Sequence, residues 1–213
     1  DQWVTHEIPF DDPQIVEALD AAGSILQDPD RVNGGIGDPR SIAATGWADA
    51  GLQVLEDNCF LFRGASFFEA QLPEGTTVAP DGDIFAFYLP AETAEEQPLL
   101  VAGDYLAAFD TDEATIAVQT YLSSPEWANT RVGLGGIVSP NQGVDPANAS
   151  SDILRLTLEL MQDDSAVARF DGSDLMPSAV GAGSFWSEMT SWVDGGSTTE
   201  QTLTAIEGSW PNE

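Results

Sequence analysis

Apolar runs of strand length, at 58–62, 84–90, 99–102 and 105–109, alternate with segments of helical period, and that alternation constrains the fold more than any other feature. Strands interleaved with helices predict an α/β layered architecture. Asp12-Pro13 is a helix start, with Ile15, Val16, Leu19, Ala22 and Leu26 recurring behind it at helical spacing. Further helices are predicted over 41–56, around Phe67 and Phe68, over 111–123, from Ser124-Pro125, over 150–162 with Leu154, Leu158 and Met161 on one face, and near 178–194 and 198–208. The run IFAFYLP at 84–90 reads as a buried strand that stops at its proline. Residues 28–40, 73–83 and 133–150 read as loops, and the acidic segment 91–98 as an exposed one. Four or five short strands are few for so many helices, an imbalance that fits part of a larger protein.

At 213 residues and 42% hydrophobic, the chain can bury the core of one domain or two small ones. No apolar stretch is long enough to span a bilayer, and DQWVTHEIPF has neither the basic start nor the apolar centre of a signal peptide. Thirty-six acidic residues face six arginines, for a net charge of −30. Such a surface excludes the phosphate neutralisation that nucleic-acid binding needs, and it repels anionic lipid. The acids are scattered, which suits a secreted or cell-surface protein kept soluble by self-repulsion better than a cation trap. Cys59 is the single cysteine, expected as a small buried hydrophobe, with a partner elsewhere in a longer chain as the alternative. One histidine, His6, and one cysteine leave no nucleophilic triad and no transition-metal cluster. Asp81-Gly82-Asp83 lacks EF-hand spacing, so neither a metal nor a cofactor is expected.

The densest chemistry lies in RFDGSDLMPSAVGAGSFWSEMTSW, residues 169–192. Arg169, Asp171 and Asp174 stand around a glycine, ahead of a helix carrying Trp186 and Trp192. Carboxylates accept hydrogen bonds from paired hydroxyls while an indole covers the C–H face of a sugar ring, so the run suits a neutral carbohydrate. Turn and cap chemistry explains Asp171-Gly172-Ser173-Asp174 equally well, and the two readings can coexist.

This run, with HEIPFDDPQIVEAL at 6–19, NCFLFRGASFFEA at 58–70, LLVAGDYLAAFDTDEATIAVQTYLSSPEWA at 99–128 and GGIVSPN at 135–141, resembles the C-terminal half of extracellular solute-binding proteins of carbohydrate ABC importers, the α-glucoside-type actinobacterial group in particular. The resemblance implies a type II periplasmic-binding-protein-like fold, of which this chain is mainly the C-terminal lobe with a segment of the other lobe. Residues 1–98 and 145–213 then belong to the second lobe, 99–110 to a hinge crossing, and 111–144 to an excursion into the first lobe. Alone, that excursion is expected to fold back, to swap between molecules or to be poorly ordered. The implied partners are a sugar or oligosaccharide, the ABC permease subunits in the membrane, and the N-terminal half of the same protein. The implied location is extracellular, cell-surface with a lipid anchor, or periplasmic.

On this reading the expected ligand-binding residues are Trp186, Asp174, Asp104, Arg63, Phe67 and Asp171. Trp186 is the expected stacking platform, with a core tryptophan as its alternative. Asp104, between two apolar strand pieces, is expected to face the cleft or to pair with an arginine, since a buried lone charge is costly. Arg63 opens a turn in front of Phe67 and Phe68, of which one should enter the core and Phe67 is expected in the site. Ser139 and Asn141 can approach ligand from the first lobe, yet a turn alone accounts for them. Trp3, Trp47, Trp127 and Trp210 are assigned to packing. The competing functional classes are a carbohydrate-active enzyme, which would need two carboxyls flanking a scissile bond, and a surface adhesion or scaffold module, which would lack an aromatic-lined cleft.

Overall fold

The computed structural model describes residues 2–32, 39–90, 93 and 97–211. Part of the 28–40 loop (33–38) and most of the acidic segment 91–98 lie outside the described residues. The chain divides into two compact units, one of Asp1–Ala50 with Phe170–Glu213 and one of Gly51–Arg169.

The first unit is helical. Helix α1, Pro13–Leu26, starts where Asp12 accepts a hydrogen bond from the Gln14 N–H at 2.9 Å, with proline in the first turn. The predicted helix over 41–56, which runs into the second unit after Ala50, is instead a 3₁₀ turn, Pro39–Ala44, then α2, Trp47–Leu52, then a second 3₁₀ turn, Gln53–Glu56. Gly46 interrupts it, and Asp57, at a left-handed φ of 57°, closes it. The 169–192 run supplies the short α6, Gly172–Leu175, a π turn, Val180–Ser184, and α7, Phe185–Val193. A capping box between Thr198 and Gln201 opens α8, Thr199–Gly208.

These helices close on Phe10, Leu19, Met176, Val180, Trp192, Leu203 and Ile206. Trp192 is 1% exposed, and its indole N–H donates to Thr199 Oγ1 at 3.3 Å, which in turn donates to Asp20 at 2.6 Å. An aromatic of this size, fully buried and with its polar atom satisfied, is worth several kcal/mol to the unit. The N-terminal segment is pinned to α8 by His6, whose ring stacks on Trp210 with centroids 4.2 Å apart and whose Nε2 lies 3.1 Å from both Glu207 carboxylate oxygens. The Phe10 N–H also donates to Glu207, at 2.9 Å. Burial pushes the Glu207 carboxyl up, but the Phe10 N–H together with the His6 bond and charge outweighs it and holds the group below its ordinary value.

The second unit pairs β1, Gln97–Val101, with β2, Ala166–Phe170, the one sheet among the described residues. The molecule is therefore α-rich with a small sheet. Residues 58–62 and 105–109 form no ladder, and 84–90 is extended with a single bridge, Val78 to Ile84. An extended run becomes a strand only when another donates to it, and here Phe60, Phe85, Phe87, Leu89, Leu106 and Phe109 are exposed rather than buried in a sheet. Cys59, predicted in a buried strand, is half-buried in a loop with its thiol donating to the Leu61 carbonyl at 3.1 Å.

Helices α3, Glu113–Leu122, α4, Pro125–Gly133, and α5, Asp152–Gln162, start at the caps Asp112, Ser124 and Ser151. The Thr115 N–H bonded to its carboxylate holds the Asp112 group below its ordinary value. The core of this unit is Ala128, Val132, Val144, Ala149, Leu154 and Leu158. Asn129 ties α4 to the 133–150 loop. Its amide donates to the Pro125 and Gly143 carbonyls at 2.8 and 2.9 Å, and its oxygen accepts from the Asp145 N–H and the Asn148 amide at 2.9 and 2.8 Å.

Candidate functional site

Three of the six expected residues stand in the first unit. Asp171 caps α6, its Oδ1 accepting from the Ser173 N–H at 3.0 Å and the Ser173 hydroxyl at 2.7 Å. Turn chemistry thus accounts for Asp171. Asp174, one residue after Ser173, is exposed on the same short helix. Met176 turns into the core. Trp186, in the first turn of α7, is 73% exposed, whereas its neighbour Phe185 packs inward against Trp3 and Phe10, with ring centroids 5.8 and 6.3 Å apart. Helical geometry separates the two tryptophans: Phe185, Met189 and Trp192 share the inward stripe, and Trp186 falls about 100° away from Phe185. An indole held on a helix and left open to solvent can stack on a sugar ring, and a carboxylate in the adjoining turn can accept from its hydroxyls.

The other three stand in the second unit. Phe68 is 8% exposed and contacts Phe62 with centroids 4.8 Å apart, while Phe67 is 53% exposed, so the pair divides between core and surface. Both lie on a 3₁₀ turn, Ser66–Gln71, that follows exposed Arg63. Asp104 is exposed, as are all residues from 102 to 110, so burial of a lone charge is not the reason for an acid at this position. Ser139 and Asn141 belong to a braced turn, in which the Asn141 amide donates to the Ser123 carbonyl at 2.7 Å.

Sequence reasoning missed an aromatic pair in the second unit. Phe85 and Phe87 stack with centroids 5.9 Å apart beside a groove of about 320 Å³ that Val78, Pro80, Ile153 and Leu156 also line. The signal was their spacing of two, which puts both rings on one face of an extended segment. Trp47, assigned to packing, stands half exposed at the start of α2. Asp83 accepts from the Thr77 hydroxyl and N–H at 2.6 and 2.7 Å, and these bonds hold its carboxyl below the ordinary value. Its turn is therefore organised around Thr77. Among the described residues, no group of three or more His, Cys, Asp or Glu side chains could hold a metal ion, and no helix is long and apolar enough to cross a membrane.

Two known proteins match the chain almost from end to end. The osmoprotective compounds-binding protein GgtB of Synechocystis sp. is 38% identical over 215 residues, covering 99% of this chain and 49% of its own length. The alpha-glucosides-binding periplasmic protein AglE of Rhizobium meliloti is 30% identical over 215 residues, covering 99% of this chain and 45% of its own length. The chain is a homologue of solute-binding proteins. It spans about half the length of the curated relatives it matches. No family model matches the chain, and no solved structure does.

Proposed function

We propose that the chain is part of the substrate-binding component of an ABC importer, outside the cytoplasmic membrane, which reversibly holds a sugar or oligosaccharide of the α-glucoside class and passes it to a membrane permease. It binds and carries no catalytic machinery. The carrying observation is the match over 99% of the chain to an α-glucoside-binding and to an osmoprotectant-binding protein. The exposed Trp186 and the exposed Asp174 supply the chemistry such a ligand needs.

The fold proposed for the whole protein is two lobes of the type II periplasmic-binding kind, with the ligand in the cleft between them and Asp104, Arg63 and Phe67 adding to the wall. Residues 1–98 and 145–213 are assigned to one lobe, 99–110 to a hinge crossing and 111–144 to an excursion into the other. The state of α3 supports this mapping: its sequence is EATIAVQTYL, yet it buries no side chain and leaves Ile116, Val118 and Tyr121 exposed. A helix apolar on several faces belongs inside something. Packing of Ala128 and Val132 of α4 with Leu154 and Leu158 of α5 supports a partial fold-back of the excursion onto the lobe it left.

The test is tryptophan fluorescence and calorimetry of the full-length protein with maltose, sucrose and trehalose. Trp186→Ala is expected to lower affinity by about 1–3 kcal/mol, the range for losing a stacked aromatic platform. Absence of any sugar response, or an unchanged affinity in a folded Trp186→Ala protein, would overturn the site.

A further inference from the structure

The helix that presents Trp186 begins with a π turn, in which the Phe185 N–H reaches back five residues to the Val180 carbonyl. One extra residue is thereby held in the turn while Val180 and Phe185 both remain on the core side. Gly181, inside this turn, is buried, and the reason it must be glycine is a neighbour. A Cβ there would land on the Ser173 carbonyl oxygen, 2.9 Å from its carbon and 3.2 Å from Met176 Cβ. Ser173 is itself fixed, since Asp171 accepts from both its N–H and its hydroxyl. The π turn and the Asp171–Asp174 turn therefore meet backbone to backbone, with no side chain between them. Asp174 follows Ser173 directly, and Trp186 lies five residues beyond Gly181. Two residues along, Gly183 is not so confined: a Cβ there would meet only the Ser178 carbonyl oxygen, at an ordinary 3.5 Å.

We infer that Gly181 is a positioning residue of the sugar site, setting through its contact with Ser173 the separation between the Asp174 carboxylate and the Trp186 indole that one sugar unit must bridge. The inference rests on the site proposed above. A methyl group at 181 has to part the two turns, because the obstructing atom is backbone and cannot rotate away. Binding geometries tolerate displacements of only about 0.5 Å before contacts are lost.

Gly181→Ala and Gly183→Ala should be compared in the full-length protein, with maltose, sucrose and trehalose as probes and circular dichroism to verify folding. Gly181→Ala is expected to weaken binding roughly tenfold or more, and Gly183→Ala to leave it within about twofold. The effect of Gly181→Ala should also disappear when Trp186→Ala is already present, whereas general destabilisation would persist in that background. Should Gly181→Ala fail to fold, Ser173→Gly loosens the same contact without a clash and is expected to lower affinity more than Gly183→Ala does. Sugar binding that the folded Gly181→Ala protein, or Ser173→Gly in its place, leaves within about twofold overturns this inference alone. No sugar binding by the unsubstituted protein overturns the site and the inference together.

Discussion

Asn129 offers the sharpest test of what holds the second unit together, because its side chain uses its full hydrogen-bonding capacity. Both amide hydrogens go to carbonyls, of Pro125 and Gly143, and both acceptor positions are filled, by the Asp145 N–H and the Asn148 amide. Asn129→Ala removes four bonds at once. Each is worth about 0.5–1.5 kcal/mol net, and the low end applies because water can reach these groups. Four at the low end give about 2 kcal/mol, from which the better helix propensity of alanine subtracts about 0.6 kcal/mol. The expected loss is therefore about 1.4 kcal/mol. In a chain of this size that lowers the melting temperature by roughly 3–6 °C. Asn129→Asp is nearly the same shape but sets a carboxylate against two carbonyls, so at neutral pH it should cost at least as much as alanine. Urea unfolding of the chain, followed by circular dichroism, measures both. The Asn148→Ala cycle adds a second check, since a direct bond at 2.8 Å predicts a coupling of about 0.5 kcal/mol or more. A loss below about 0.5 kcal/mol for Asn129→Ala, or strict additivity with Asn148→Ala, refutes the reasoning.

Trp192→Ala, which empties the centre of the first unit, is expected to cost about 3–5 kcal/mol in the same assay, and a loss under about 1 kcal/mol would mean that the helices do not close on it. Glu207 carries a pH signature: its folded carboxyl titrates below the unfolded value, so the stability it adds is fully present above about pH 4.3 and is lost as pH falls through the folded value. The stability difference between the unsubstituted chain and Glu207→Gln should therefore shrink on acidification, and a difference constant between neutral and strongly acidic pH would be the contrary result.

Helix starts were legible in the sequence because a cap is a local event. Asp12-Pro13 and Ser124-Pro125 each announce their helix within two residues, and each is a start in the structure. Strands were only partly legible, because a strand needs a partner whose position no local pattern records: the expected run at 99–102 lies in β1, and 58–62 and 105–109 form no ladder. The run 84–90 carries the right residue types and pairs only through the Val78–Ile84 bridge, whereas β2, with no apolar alternation, was missed and is paired. The single helix expected over 178–194 hid the π turn. Its trace was the gap of five between Val180 and Phe185, one residue longer than an α-helical stripe permits if both are to face the core.

The same distinction between local and distant causes sorts the candidate site. Asp171 has a complete local explanation, since its Oδ1 caps the turn and needs no ligand to account for it. Trp192 has a complete packing explanation. Neither kind of explanation reaches Trp186. It caps nothing and has most of its surface in water, although the helix carrying it is anchored on one side by Phe185, Met189 and Trp192. Leaving an indole so exposed forgoes the burial that usually accounts for a tryptophan, worth about 25 cal/mol per Å² of apolar surface. An anchored helix that holds the ring out offers a rigid aromatic face, and exposed Asp174 offers an acceptor, the two kinds of group that hold a sugar. Trp186 and Asp174, rather than Asp171, are therefore the residues of this run that local structure leaves unexplained.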